Sequence, residues 1–186
     1  MSMDNLSKFG WNENPFVLKI DPKLFTGYDD QVKAALRHIE NKHKIAIITG
    51  ATGAGKTMFL KWLELNYDAS KLYVSKPPHN PEEFVPLFTD IFGFSFIDRL
   101  LRRKPNLQSL PAYVNSKLKN DHLVFLVDEA HESNKDVLEW LRVLTDQIES
   151  VSLVVAGLPS LEDKLKTELE TFDQRITTRI NLTALT

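Results

Sequence analysis

One short segment restricts the folds open to this chain more than any other, residues 50–57 with the sequence GATGAGKT. It fits the pattern G-x-x-x-x-G-K-[S/T] and directly follows the apolar run IAII at 45–48. Glycine suits such a segment because it tolerates backbone angles and close approaches that a side chain prevents. The segment predicts a strand that ends at Thr49, a phosphate-binding turn, and a helix that begins near Lys56.

Each residue type in this segment suits the binding of a nucleoside triphosphate with Mg²⁺. Main-chain N–H groups and the positive end of the helix dipole attract the phosphates, while the Lys56 ammonium reaches the β- and γ-phosphates. The Thr57 hydroxyl is available to Mg²⁺. The residues expected to bind the nucleotide are Gly50, Ala51, Thr52, Gly53, Ala54, Gly55, Lys56, Thr57 and Met58. A strand-to-helix turn without a ligand is the alternative.

A second apolar run, LVFLV at 123–127, ends in the acid pair Asp128 and Glu129. Runs of this kind are typical of buried strands in parallel sheets, whose carboxyl ends hold the ligand chemistry of open α/β folds. We therefore expect Asp128 to hold the hydration shell of Mg²⁺ and Glu129 to orient an attacking water. A cap on the following helix is the other role open to this pair.

The composition is that of an ordinary globular domain. The 186 residues carry a formal charge of −2 and 42% hydrophobic residues, so one sizeable core can form and no global charge favours nucleic acid. The absence of cysteine excludes disulfides and thiolate metal sites. The sequence has no signal peptide and no apolar run of bilayer length, and we expect a cytoplasmic protein. Four histidines lack the spacing of metal ligands and are expected on the surface or in packing, namely His38, His43, His79 and His122.

Apolar runs alternate with helical patterns along the chain, which indicates an α/β fold with a largely parallel sheet between helices. Strands are predicted at 44–49, 72–75, 122–127, 151–156 and 178–182, and helices at 28–41, 56–66, 81–92, 107–120, 134–149 and 159–169. We expect a single domain over residues 1–186, with a core at 44–182 preceded by the segment 1–43.

The region between Phe92 and Asp121 is rich in cations, namely Arg99, Arg102, Arg103, Lys104, Lys117 and Lys119. Such a run contacts nucleic acid phosphates in some proteins and only keeps the outer face of helices solvated in others. Both interpretations stay open from the sequence.

Five further segments have a recognisable order and spacing: FGWNENPF at 9–16, LFTGY at 24–28, DEAH at 128–131, VVAGLPSL at 154–161 and FDQRITTRI at 172–180. With the phosphate-binding segment they cover nearly the whole chain. Together they resemble the AAA+ ATPases of the secretion-pathway and transposition-accessory group, which are related to archaeal origin-recognition ATPases. The resemblance implies a P-loop NTPase fold with a five-stranded parallel sheet, in which the 151–156 strand lies between the 44–49 and 122–127 strands.

The same resemblance implies that ATP and Mg²⁺ are the ligands and that Pro15, Phe16 and Tyr28 border the adenine. Arg175, with Arg179 as second choice, matches the arginine finger of the family, which reaches the γ-phosphate bound by a neighbouring subunit. A homo-oligomer and a partner that is DNA or a DNA-bound protein follow from the resemblance. Pairing with surface carboxylates is the alternative role of the two arginines.

Two features depart from the family pattern. Gly157 and Leu158 stand where many relatives carry a polar sensor side chain, and the sequence stops at 182–186, where the helical lid would begin. The expectation is an AAA+ core without its lid, with weak nucleotide affinity and slow turnover.

Three functions are open on this basis. The first is hydrolysis of Mg·ATP, coupled to oligomer assembly and to a DNA-linked process such as replication initiation or transposition. The second is a nucleotide-gated binding or regulatory module that hydrolyses little ATP. The third and least favoured is a small-molecule kinase, because Glu129 favours water rather than a metabolite as the phosphoryl acceptor.

Overall fold

The computed structural model describes residues 25–93, 105–119 and 121–183, and these ranges contain a five-stranded sheet covered by helices. The strands are β1 (Ile45–Gly50), β2 (Ser70–Val74), β3 (Leu123–Val127), β4 (Val151–Gly157) and β5 (Ile176–Leu182). The helices are α1 (Asp29–Glu40), α2 (Lys56–Asn66), α3 (Phe84–Phe92), α4 (Leu110–Leu118), α5 (Lys135–Gln147), α6 (Pro159–Glu168) and α7 (Glu170–Asp173), with 3₁₀ turns at Pro81–Glu83 and Ala130–Glu132.

The strands lie in the order β2-β3-β4-β1-β5, and every neighbouring pair is parallel. β4 therefore lies between β1 and β3, as the family resemblance predicts. Because all strands point the same way, their carboxyl ends meet along one edge, which we call the carboxyl edge, opposite the amino edge. The loop predicted to bind phosphate (residues 51–55), Asp128 and Gly157 all lie at the ends of strands on the carboxyl edge.

The core covers both faces of the sheet, because every residue of β1, β3 and β4 is buried. Alternate residues of a strand point to opposite faces. Phe84 and Phe125 pack in the cluster on one face, whereas Phe59 of α2 packs in the cluster on the other. Burial on two sides explains why the central strands are largely apolar in the sequence, with Thr49 in β1 and Ser152 in β4 as buried polar exceptions.

The predicted strands are confirmed, each within two residues at either end. The helix predicted at 107–120 is shorter, since α4 begins only at Leu110. Before it, Ser109 N donates to Asn106 Oδ1 and Asn106 N donates to Ser109 Oγ, both at 2.9 Å, and this local pair holds a turn in place of a helix. The helix predicted at 81–92 begins as a 3₁₀ turn, and neither α7 nor the turn at Ala130–Glu132 was predicted.

Several predicted features lie outside the described residues: Pro15 and Phe16, and the cations Arg99, Arg102, Arg103 and Lys104. Within the described ranges, none of the helices combines the length and the apolar character needed to cross a membrane. The division into a core at 44–182 and a preceding segment stays a prediction.

The histidines away from the acid pair have the positions expected for surface and packing residues. His43 and His79 are exposed, whereas His38 and His122 are buried. The Nδ1 atom of His38 lies 2.9 Å from the Thr178 hydroxyl. Burial lowers the pKa of His38 to about 4, and the nearby imidazoles of His43 and His122 act in the same direction.

Candidate functional site

The loop between β1 and α2, residues 51–55, needs glycine for its backbone angles at two positions. Gly53 and Gly55 have φ angles of 81° and 88°, in the left-handed region. Gly50 is needed for a different reason, since a Cβ atom there would lie 2.6 Å from the carbonyl oxygen of Leu182 on β5. The glycines of the motif thus set the curvature of the loop and its close contact with the neighbouring strand.

Lys56 is the first residue of α2 and is only 6% exposed. Its Nζ atom donates hydrogen bonds to the carbonyl oxygens of Gly50 and Ala51, at 2.9 and 3.0 Å. The first turn of α2 contains no acidic residue, so no carboxylate there offsets the positive end of the helix dipole. The ammonium, the dipole and the N–H groups of the loop together form an environment that favours an anion.

Asp128 follows β3 and is buried, with 1% of its surface exposed. Its Oδ1 atom accepts a hydrogen bond from Glu129 N at 2.9 Å, and its Oδ2 atom accepts one from the Tyr73 hydroxyl at 3.3 Å. Both donors are neutral groups, so neither supplies the counter-charge that a buried carboxylate requires. Asp128 is therefore suited to a hydrated divalent cation.

Glu129 has a left-handed backbone with a φ angle of 50°, which is uncommon for a residue with a side chain. Such conformations cost free energy and concentrate at functional sites. The Glu129 side chain is 39% exposed, and its Oε2 atom lies 3.5 Å from Nδ1 of His131. The carboxylate is thus accessible to a ligand or a water molecule, unlike that of Asp128.

A cavity of about 350 Å³ lies between the loop and Glu129, whereas Asp128 does not line it. The residues that line it are Thr52, Gly53, Gly55, Lys56, Thr57, Met58, Glu129, His131 and Leu158. Its volume lies in the range of small-molecule sites. Lys56, Thr57 and Glu129, predicted from two separate segments of sequence, therefore share one cavity.

The residues expected to hold Mg²⁺ fit that ion. Mg²⁺ prefers oxygen ligands and keeps several of its water molecules. The Thr57 hydroxyl borders the cavity, and Asp128 provides a buried carboxylate beside Glu129. Ligand atoms of Glu129, His131 and Glu132 also lie within 4.8 Å of one another, but Lys76 already pairs with Glu132 at 2.7 Å. Thr57 and Asp128 are the better candidates.

Tyr28 packs against the phosphate-binding loop and is 5% exposed. Its hydroxyl lies 2.9 Å from the carbonyl oxygen of Ala54 and 2.6 Å from that of Thr183, so it can donate to either. Its ring stacks on that of Phe25 at a centroid distance of 5.7 Å. The structure thus links Tyr28 to the loop, while the contact with adenine stays a prediction.

Arg175 and Arg179, the candidate arginine fingers, do not line this cavity. The Nε atom of Arg175 lies 2.8 Å from Asp146, and Arg179 pairs with Glu162 and Asp173, both at 2.9 Å. Both arginines thus have the carboxylate partners of the alternative interpretation. Arg175 also directly precedes β5, at the amino edge, so the length of the sheet, roughly 20 Å for a six-residue strand, separates it from the loop. A finger role for Arg175 requires a neighbouring molecule and stays a prediction.

Gly157, the last residue of β4, lies in a crowded position. A Cβ atom at this position would lie 2.9 Å from the Leu161 side chain and 3.1 Å from the backbone nitrogen of His131. A larger residue would displace the turn that carries His131. Leu158, the next residue, borders the cavity with an apolar side chain.

Sequence reasoning assigned no role to two residues near the candidate site, Tyr73 and His131. His131 lies in the DEAH string, and its place beside Glu129 follows from the 3₁₀ turn at Ala130–Glu132. Tyr73 belongs to no motif. Only the pairing of β2 with β3 brings its hydroxyl to Asp128.

A glycine-rich loop with a buried lysine, beside an acid pair at the carboxyl edge of a parallel sheet, defines this protein as a P-loop NTPase domain. Residues 38–165 match the family model described as AAA domain. The chain belongs to the AAA domain family.

Solved structures with the same fold include archaeal origin-recognition proteins. The ORC2 protein of Aeropyrum pernix, in its ADPNP–ADP complexes, aligns with a TM-score of 0.64 and 19% identity over 86% of this chain and 48% of its own. The ORC1 protein of the same organism, in complex with DNA, aligns with a TM-score of 0.65 and 13% identity over 92% of this chain and 48% of its own. The Walker-type ATPase of Pyrococcus abyssi gives a TM-score of 0.58 and 15% identity over 89% and 55%.

The chain thus spans about half the length of these structures, and identities this low establish the fold alone. No curated protein matches the sequence. The predicted relation to archaeal origin-recognition ATPases is supported at the level of the fold. The narrower placement in the secretion-pathway and transposition-accessory group stays a prediction.

Proposed function

We propose that this domain binds Mg·ATP and hydrolyses it to ADP and phosphate. The observation that carries the proposal is the cavity that Lys56, Thr57 and Glu129 line together. Asp128 does not line it, but it directly precedes Glu129 and has a buried carboxylate. Membership of the AAA domain family supports ATP as the nucleotide. The sequence also lacks the Asn-Lys-x-Asp string that reads guanine.

Each residue has a defined part in this reaction. The loop N–H groups and Lys56 bind the triphosphate, and Lys56 exchanges its two carbonyl partners for phosphate oxygens. Thr57 and Asp128 would hold Mg²⁺, which offsets the negative charge of the phosphates. Glu129 accepts a hydrogen bond from a water molecule and orients it toward the γ-phosphorus, where a P–O bond forms as the bond to ADP breaks.

The test is phosphate release from ATP with Mg²⁺, compared between two glutamine variants. Glu129→Gln should bind ATP as the wild type does and lose release by at least about 100-fold, because the carboxylate that orients the water is gone. Glu132→Gln is the matched control, since this exposed glutamate lies on the turn that directly follows Glu129 and pairs with Lys76. Undiminished release by Glu129→Gln would contradict the proposal. Release that requires an added metabolite would indicate the kinase.

A nucleotide-gated binding module with little hydrolysis is the second candidate. Two observations favour it: Arg175 and Arg179 are engaged in ion pairs within the chain, and a side chain in place of Gly157 would crowd Leu161 and the backbone of His131. Tight ATP binding without phosphate release, even at high protein concentration, is the result that would support this module over the ATPase.

We also propose that the domain acts in a homo-oligomer and in a DNA-linked process. The support for DNA is indirect: the ORC1 protein of Aeropyrum pernix and the ORC of Drosophila were both solved bound to DNA. The position of Arg175, far from its own loop, is consistent with a contact to the nucleotide of a neighbouring subunit. DNA binding is tested by a salt titration of a fluorescent duplex, with Arg102→Gln, Arg103→Gln and Lys104→Gln combined as the variant. Unchanged affinity would exclude this basic segment.

A further inference from the structure

Tyr73 contacts the candidate magnesium ligand from a strand that carries no motif. It lies in β2, opposite Leu126 of β3 in the parallel register. Its hydroxyl donates a hydrogen bond to Oδ2 of Asp128 at 3.3 Å, while Oδ1 of the same carboxylate accepts one from Glu129 N at 2.9 Å. Each oxygen of Asp128 thus has one donor, and the two donors together fix the plane of the carboxylate.

The ammonium group of Lys61, a residue of α2, lies over the ring of Tyr73. Its Nζ atom lies 3.4 Å from the ring centroid, within cation–π distance, and 2.8 Å from Glu64 on its own helix. Lys61 belongs to α2, the helix whose first residue is Lys56. The same helix therefore borders the phosphate-binding loop at its start and contacts, through Tyr73, the carboxylate of Asp128.

The hydroxyl of Tyr73 stays a donor under ordinary conditions. Burial raises the pKa of Tyr73 strongly, and the negative charge of Asp128 raises it further, with smaller contributions from Glu64 and Glu129. A phenol is protonated at neutral pH in any case, so the Tyr73 hydroxyl faces Asp128 as a neutral hydrogen-bond donor.

We infer that Lys61 and Tyr73 form a brace that orients Asp128 toward Mg²⁺, and that Tyr73 is a positioning residue for magnesium-dependent nucleotide binding. The inference rests on the proposed function, because it concerns the same site. Removing such an outer partner of a metal ligand typically reduces metal affinity or activity 10–100-fold. The 3.3 Å contact is long for an O–H···O hydrogen bond, so we expect an effect at or below the lower end of that range.

The experiment measures the magnesium enhancement of ATP binding, defined as the Kd of ATP in EDTA divided by its Kd with excess Mg²⁺. Calorimetry on the nucleotide-free protein gives both constants. Tyr73→Phe keeps the ring and its contact with Lys61 and removes only the hydroxyl. We expect it to lower the enhancement about 3- to 10-fold and to leave the Kd in EDTA unchanged.

Tyr113→Phe is the matched control. It removes the same atom at a place outside the cavity, where the hydroxyl donates to the carbonyl oxygen of Gly93 at 2.5 Å. We expect it to leave the magnesium enhancement unchanged. Lys61→Met tests the other half of the brace. It should lower the enhancement less than Tyr73→Phe does, and it should add nothing in the double variant, because Lys61 acts through the Tyr73 hydroxyl.

An unchanged enhancement in Tyr73→Phe overturns the inference. Equal losses in Tyr73→Phe and Tyr113→Phe also overturn it, because they would indicate a general loss of stability. A wild-type protein that binds ATP neither with nor without Mg²⁺ overturns the proposed function itself, so the two failures are distinguishable.

Discussion

Two lysines at opposite edges of the sheet make the same kind of contact for different purposes. At the amino edge, the Nζ atom of Lys44 donates to the carbonyl oxygens of Ile148 and Glu149, at 2.7 and 2.9 Å. At the carboxyl edge, the Nζ atom of Lys56 donates to two loop carbonyls at 2.9 and 3.0 Å. Hydrogen bonding alone therefore does not distinguish a structural lysine from one that is expected to bind a ligand.

The surroundings make the difference. Lys44 directly precedes β1, and its two hydrogen bonds link the start of that strand to Ile148 and Glu149, the residues that follow α5. Lys56 lies in a loop with two left-handed glycines, at a helix N-terminus, and borders a cavity that also contains Glu129. A cation becomes a binding group when an anion can reach it and exchange with its backbone partners.

On this comparison, residues at the carboxyl edge bind the ligand and residues at the amino edge are structural. The prediction with the largest expected effect tests whether an amino-edge residue nevertheless has a part in the reaction. If Arg175, at the amino edge, acts on the nucleotide of a neighbouring subunit, Arg175→Ala should lower phosphate release by about 10³-fold at a protein concentration that permits assembly. Its stability should change by less than about 1 kcal/mol, since its pair with Asp146 is exposed.

The matched control for this experiment is Arg142→Ala. Arg142 pairs with the same Asp146 carboxylate at 3.1 Å, but it lies within α5. The Arg142→Ala variant should release phosphate as fast as the wild type does. Mixing Arg175→Ala with Lys56→Ala protein should restore part of the activity, because one subunit then supplies the arginine and the other the lysine. Absence of rescue would contradict the finger role of Arg175 and would indicate that this residue is structural.

The second prediction sharpens the comparison of the two lysines. Lys56→Ala should weaken ATP binding several-hundred-fold, roughly 3–4 kcal/mol, because two charge-assisted contacts to phosphate are lost. Lys44→Ala should leave the Kd for ATP unchanged and lower the free energy of unfolding by about 1–2 kcal/mol. Calorimetry and urea unfolding of both variants measure the two quantities. Equal losses of ATP affinity would refute the division.

The third prediction concerns the pH dependence of stability at the amino edge. The pKa of His38 is about 4 in the folded protein, against an ordinary value of 6.5. The unfolded chain therefore binds a proton more readily than the folded protein. The stabilisation is complete above about pH 6.5 and is lost as the pH falls toward 4, with a total of about 3 kcal/mol.

Urea unfolding between pH 7 and pH 4.5 tests this dependence. His38→Gln should flatten the fall in unfolding free energy over that range, whatever its effect on the absolute stability. His79→Gln, at an exposed histidine, is the control and should keep the wild-type slope. A slope that is the same in all three proteins would assign the acid sensitivity to other groups.

The fold was largely predictable because its signals are local. Each buried strand contains a run of at least four consecutive apolar residues, and the loop and the acid pair directly follow two of these strands. The start of α4 was not predictable in this way. There, two short polar side chains, Asn106 and Ser109, bond to each other's backbone and delay the helix to Leu110.

Candidate site residues were predictable where they belong to one short motif. Contacts that depend on the pairing of two strands were not. Lys56, Thr57 and Glu129 were named from motifs and share a cavity in the structure. Tyr73 was missed because its contact with Asp128 depends on the register of β2 against β3, which no short pattern encodes. From the sequence, Gly157 indicated only that a polar sensor side chain is absent. Its close approach to Leu161 and to the backbone of His131 depends on the folded structure.

The left-handed backbone of Glu129 has a consequence for anyone who evolves this domain toward heat resistance. Glycine adopts that conformation at lower cost, so replacing Glu129 by glycine would relieve strain at the same time as it removes the carboxylate. If Glu129 has the role proposed above, a screen that rewards only a higher melting temperature would favour variants that no longer hydrolyse ATP, and selection on ATP hydrolysis has to accompany it.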